Sequence, residues 1–129
     1  MSAPDPDDLP ADPGAYVLII ETETPISVMI GSLAATILPP GRYAYAGSAR
    51  GPGGIRARVR RHLRKDKKLH WHIDQVTAVA EIIDVQTYPG GDECRLVAEL
   101  MAKPGAHHPI TGFGSSDCRN CASHFIALG

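Results

Sequence analysis

A chain of 129 residues is long enough for one domain with a real core and too short for two. With 43% hydrophobic and 21% charged residues its make-up is that of an ordinary globular protein, and no apolar run approaches the roughly 20 residues a membrane helix needs. The formal net charge of −1 hides an uneven distribution. Nine of the thirteen Lys and Arg fall between Arg50 and Lys68, with Asp66 the only acid among them, so one segment carries a concentrated positive field.

The first residues, "MSAPDPDDLPADPG", hold four aspartates and four prolines. They lack the basic start and apolar segment of a secretory signal. Residues 1–13 read as a disordered or extended lead-in, and 14–129 as a single domain. Three cysteines without a signal point to a reducing cytoplasm rather than a disulfide framework.

"GAYVLIIE" (Gly14 to Glu21) is continuous, apolar and β-branched, the pattern of a buried central strand. After the "TETP" turn, "ISVMIG" (Ile26 to Gly31) reads as its antiparallel partner, and "RYAYAG" (Arg42 to Gly47) as a further strand beyond the Pro39-Pro40-Gly41 turn. "SARGPGG" is a loop. The helix after it begins near Gly54 or Ile55, runs to about Lys65, and carries the stripe Ile55, Val59, Leu63. "WHIDQVTAVA" suits a short helix, and "EIIDVQTYPGG" a strand ending in a turn. "DECRLVAELMA" (Asp92 to Ala102) is a helix with Asp92 as N-cap and Leu96, Val97 and Leu100 on one face. The tail from Ile110 is rich in glycine and serine before ending apolar. Strands first and helices added to their faces predict a small α+β sandwich with a mainly antiparallel sheet.

Two fragments carry a phenol beside glycine on a predicted strand: "GAY" (Gly14 to Tyr16) and "YAG" (Tyr45 to Gly47). On the following helix Arg58 and His62 lie one turn apart at the edge of the apolar stripe. An arginine held at such an edge presents a planar fork to a phosphate. Glu93 opens the later helix, where a carboxylate is favoured by the helix dipole with or without a metal. The tyrosines, too, can be read as packed aromatics. Arg61, Arg64, Lys65, Lys67 and Lys68 read as a solvated face or a diffuse phosphate attractor, and the glycines of the loop as a connector, since no GxxxxGK[ST] is present.

Taken in order, these fragments resemble the GIY-YIG nuclease superfamily. "GAY" and "YAG" stand for its two triplets, "GIRARVRRH" for its helix, and "DECRLVAEL" for the helix with its acidic residue. "YAGSARGPGGI", "RRHL", "HWHID", "ECRL" and "GFGSSDCRNCASH" resemble a small stand-alone branch of that superfamily, sometimes fused to a DNA-repair glycosylase. Both triplets have alanine where isoleucine is usual, and their wide separation implies an additional early hairpin at about Ile26 to Pro40. The resemblance implies a GIY-YIG-like fold and a DNA endonuclease, with DNA favoured over RNA. Tyr16, Tyr45, Arg58 and His62 would be catalytic. Glu93 would hold Mg²⁺ or Mn²⁺, and Arg50, Arg56, Arg60, Arg61, Arg64 and Lys65 would bind nucleic acid. A tyrosine of ordinary pKa, about 10, is a poor base, so Tyr16 either has a lowered pKa or only orients the attacking water. The alternative is a catalytically inactive nucleic-acid-binding module that uses residues 50–68. No membrane or protein partner is implied.

A second cluster stands apart. Cys118, Cys121 and His124 in "CRNCASH", with Cys94 upstream, have the residue types and spacing of a Cys₃His zinc site. Equally, reduced cysteines serve as small buried hydrophobes. A zinc-stabilised interaction domain is a third reading. "HWH" (His70 to His72) offers further ligands, although Trp71 suits packing and Asp74 suits orienting His72.

Overall fold

The apolar run from Gly14 is buried on both faces because strands flank it on each side and helices cover it above and below. The computed structural model describes residues 5–29, 35–68, 72–109 and 124–128. In chain order its elements are β1 (Gly14–Thr22), β2 (Ile26–Val28), β3 (Thr36–Leu38), β4 (Gly41–Ala49), α1 (Gly54–Leu63), α2 (Asp74–Thr77), β5 (Glu81–Pro89), α3 (Glu93–Met101) and β6 (Phe125–Ala127). The main sheet runs β5-β1-β4-β6 and is antiparallel throughout; β2 and β3 form a separate hairpin. This is the expected α+β sandwich with its extra hairpin. Among the described residues no helix is long and apolar enough to cross a membrane.

Strand alternation sorts the core into two layers. Tyr16, Leu18 and Ile20 of β1 join Tyr43 and Tyr45 of β4 under Ile55 and Val59 of α1, Ile73, Val76 of α2, and the hairpin. Ala15 and Val17 face the other way, with Ala44, Ala46 and Ile126, against Leu96, Val97 and Leu100 of α3. The small residues on β4 let α3 lie close to the sheet. Asp92 caps α3 as expected, its side chain accepting from the Cys94 N–H at 2.9 Å.

Three features differ from the sequence reading. The partner of β1 is β4, paired over nine positions from Gly14↔Ala49 to Thr22↔Gly41, and not "ISVMIG". Among its described residues the latter buries Ile26 and Val28, and it lies on the α2 side, where Gln75 exchanges two 2.8 Å hydrogen bonds with the Met29 backbone. The apolar end of the tail forms β6, which pairs with β4 and whose Phe125 stacks on Tyr43 at 5.0 Å between ring centres.

The lead-in is the third. Where the sequence reading gave a disordered or extended lead-in, residues 5–13 pack along α1. Asp5 caps a single 3₁₀ turn, Pro6–Asp8, and Leu9 packs against the core. The carbonyls of Asp12 and Pro10 then accept the Ile55 and Arg56 N–H groups at 3.0 Å each. These are first-turn donors that have no partner within their own helix. The approach requires Gly54, whose φ is +57° and whose absent Cβ would stand 2.1 Å from the Ala11 carbonyl oxygen. The lead-in thus caps α1 where glycine leaves no side chain to do so.

Candidate active site at one end of the central strand pair

Tyr16 lies directly opposite Gly47 in the β1–β4 ladder, and this pairing explains why the phenols come with glycine. A Cβ on Gly47 would stand 2.4 Å from Tyr16 Cζ and 2.5 Å from its Oη. The Tyr16 ring therefore lies flat across the glycine and reaches His62 on α1. Tyr16 Oη and His62 Nε2 are 2.7 Å apart, and both residues are buried. Tyr45 completes a triangle of rings, with centroids 6.4 Å from Tyr16 and 5.7 Å from His62. Gly47→Ala is expected to cost about 1–3 kcal/mol, the usual cost of overpacking, and to displace the Tyr16 ring from His62. Denaturant unfolding measures the first effect, and the His62 ring signals in NMR the second.

Burial dominates the electrostatics of this triangle. It raises the Tyr16 phenol well above its ordinary value, with nearby Tyr45 adding to the effect and Arg58 and Arg61 opposing it. It raises Tyr45 to about 12, with Arg58 opposing and Asp74 and Glu93 adding. His62 is lowered to about 3, first by burial and then by Lys67, while Asp74 opposes. All three rings are thus neutral at pH 7. Loss of hydration outweighs the neighbouring arginines, so these side chains by themselves do not lower the Tyr16 pKa and leave it suited to orienting the water.

The lowered His62 pKa has a definite sign for stability. The unfolded chain binds a proton at this histidine below about pH 6.5, and the folded chain does so only near pH 3. Stability due to His62 is complete above pH 6.5 and is lost as the pH falls toward 3. Between pH 7 and pH 4 wild type is expected to lose about 3 kcal/mol more than His62→Gln. Urea titrations of both proteins at the two pH values measure the difference.

Arg58 and Glu93 border the triangle. Arg58 is half-buried on α1 and acts electrostatically on Tyr16, Tyr45 and His62. With Arg61 it lines a depression of about 120 Å³ beside Gly51, Pro52, Gly54 and Ala57. Glu93, at the start of α3, raises Tyr45 through its charge, so the two helices bring opposite charges to one end of the strand pair. Glu93 Oε2 is buried and, among the described residues, makes no hydrogen bond; it forms a 3.7 Å ion pair with the exposed Arg50. A buried carboxylate oxygen of this kind is costly unless another cation serves it. Asp92, Glu93 and Cys94 offer ligand atoms within 4.8 Å of one another, although Asp92 already caps the helix. A single carboxylate fits Mg²⁺, which takes few protein oxygens and keeps water.

The rest of the basic segment is more committed than its sequence implies. Arg61, expected to point outward, turns inward and forms a bidentate pair with Asp74, both N···O distances being 2.8 Å. Asp74 is 0% exposed, and the hydrogen bonds raise the arginine's pKa further. Lys65, also read as solvated, donates to the Thr77 and Ala80 carbonyls. Lys67 donates to the His62 carbonyl at 2.7 Å and to Thr77 Oγ1 at 2.6 Å, with burial lowering it to about 8. Arg56 and Arg60 hold the lead-in, through the Leu9 carbonyl and Asp7. Arg64 pairs at 3.7 Å with Asp66 on the surface. Sequence reasoning missed Asp74 as a partner of Arg61. The available signal was that Arg61 sits three positions after Arg58, on the same flank of the helix.

Cys94 and His124 also meet, Sγ to Nε2 at 3.9 Å. Cys118, Cys121, His70 and Trp71 lie outside the described residues.

Residues 15–129 match the family described as domain of unknown function DUF123. The chain belongs to that family. No curated protein and no solved structure matches it. The match begins one residue after Gly14 and takes in β1 through β6, so every element that builds the site falls within the DUF123 domain, while the capping lead-in precedes it.

Proposed function

We propose that this DUF123 domain is a metal-dependent nuclease, hydrolysing phosphodiester bonds in DNA by a GIY-YIG-type mechanism. The observation that carries the reading is the buried 2.7 Å contact between Tyr16 Oη and His62 Nε2, framed by Tyr45, Arg58 and Glu93. Those five residues occupy the positions that the resemblance to the GIY-YIG superfamily assigns to catalysis.

The phenol of Tyr16 is neutral, as is His62. In the tautomer with its proton on Nδ1, His62 accepts the phenol hydrogen at Nε2. The phenol oxygen then has lone pairs turned to an incoming water, which it orients for attack. Tyr16 and His62 orient the water and stay neutral, and the water's proton leaves to solvent, because burial makes His62 too weak a base to take it. Arg58 stabilises the charge growing on the phosphoryl oxygens. Glu93 would hold Mg²⁺ or Mn²⁺, which when bound supplies Lewis-acid stabilisation of phosphate and leaving-group oxygens.

The commitment of Arg56, Arg60, Arg61, Lys65 and Lys67 to internal partners argues against a module that relies on its basic segment alone. The two readings separate with branched, nicked, single-stranded and duplex DNA and a matching RNA, incubated with wild type and Mg²⁺ or Mn²⁺. Cleavage that stops on chelation is expected. Steeply salt-dependent binding with every substrate intact would favour the inactive binding module.

A further inference from the structure

The contact between Cys94 and His124 joins two parts of the chain 30 residues apart and has no place in the proposed chemistry. Cys94 is in the first turn of α3, its N–H held by the Asp92 side chain. His124 immediately precedes β6 and is buried, and its carbonyl accepts the Ala46 N–H of β4 at 3.0 Å. Both backbones are therefore fixed independently of the side-chain contact. A zinc ion with Zn–S about 2.3 Å and Zn–N about 2.05 Å at a tetrahedral angle sets its sulfur and nitrogen ligands about 3.6 Å apart. The observed 3.9 Å is within a few tenths of an ångström of that separation. The sequence leading to His124 adds a second observation, because it reads C-x₂-C-x₂-H, a ligand-type run.

We propose that Cys94 and His124 are two ligands of a structural zinc ion that clamps the start of α3 to the strand pair β4–β6. Thiolate and imidazole select zinc over the hard cation that suits the neighbouring carboxylate of Glu93. The clamp fixes the first turn of α3, and with it the position of Glu93 relative to Tyr45. Cys94 and His124 are thus positioning residues, and the zinc takes no part in bond cleavage.

Metal analysis of the full chain, purified without a metal-affinity step, tests this. About one zinc per chain is expected. Cys94→Ser and His124→Ala should each lose most of it, and Glu93→Ala should retain it. Cobalt exchanged into wild type should give a thiolate-to-metal absorption band that weakens in Cys94→Ser. Should either variant fail to fold, wild type treated with chelator gives the second readout: its melting temperature should fall and recover when zinc is restored. Absence of zinc even after its addition, undiminished zinc in both variants, or no cobalt–thiolate band would overturn the proposal.

Discussion

Arg61→Ala is expected to destabilise the folded protein by about 3 kcal/mol, measured as the shift in urea unfolding. The reason lies in Asp74, whose carboxylate is 0% exposed while its bidentate arginine is 29% exposed. Removing the guanidinium leaves that carboxylate in the interior without its main counter-charge, and broken buried pairs cost about 3–5 kcal/mol. The lower end applies because one side of the pair reaches solvent. Replacing both members by apolar residues, Arg61→Met with Asp74→Leu, should recover most of the loss, since the pair's own net contribution is small beside its desolvation. A single variant as stable as wild type would mean that Asp74 is served equally well by other groups. The pair also bears on the site, because Arg61 and Asp74 act with opposite sign on both Tyr16 and His62.

Arg58→Ala carries the other large expectation, a fall in the DNA cleavage rate of about 10²–10³-fold with stability little changed. That is the usual consequence of removing one preorganised charge that meets a developing oxyanion. Arg58 is half-buried at the border of the ring triangle, and three separate titratable groups feel its charge. Arg58→Lys should recover only part of the rate, because an ammonium lacks the planar fork. Arg64→Ala, which removes a charge paired on the surface with Asp66, should leave the rate nearly unchanged. Equal losses from Arg58→Ala and Arg64→Ala would reduce both residues to diffuse phosphate attraction.

Much of the fold was legible because local signals agreed. The unbroken apolar run of β1, the four-residue spacing of Ile55 and Val59, and the Asp92 cap each reflect one physical preference that the tertiary structure did not override. The pairing of β1 with β4 was not legible, because pairing depends on which distant strand matches in length and face. β6 was hidden for a related reason: three residues are too few to show alternation, and Phe125 acquires meaning only by stacking on Tyr43. The part played by the lead-in was not legible in its composition. Its aspartates and prolines suggest a disordered or extended segment, and that its carbonyls answer the open donors of a glycine-started helix is a long-range complement that composition does not carry.

At the site, Tyr16, Tyr45, Arg58, His62 and Glu93 lie at one end of β1 and β4, because alternation puts Tyr16 and Tyr45 on the face that α1 covers. Their protonation was beyond reach. The chain of charges around Tyr16 suggests a lowered pKa, but the depth of burial, set by the whole fold, reverses the sign. Arg61 was misplaced for a comparable reason: its inward turn depends on Asp74, which α2 brings in from thirteen positions away.

The most direct measurement is single-turnover cleavage of DNA by wild type and by Glu93→Gln, with Mg²⁺ and with chelator, both proteins being checked for equal folded stability. Glu93→Gln keeps the shape of the side chain and removes the charge that would serve the metal. Metal-dependent cleavage by wild type is expected, with a loss of at least about 10²-fold in the variant. Equal cleavage by both proteins, or no cleavage by wild type of any branched, nicked, single-stranded or duplex substrate, would contradict it.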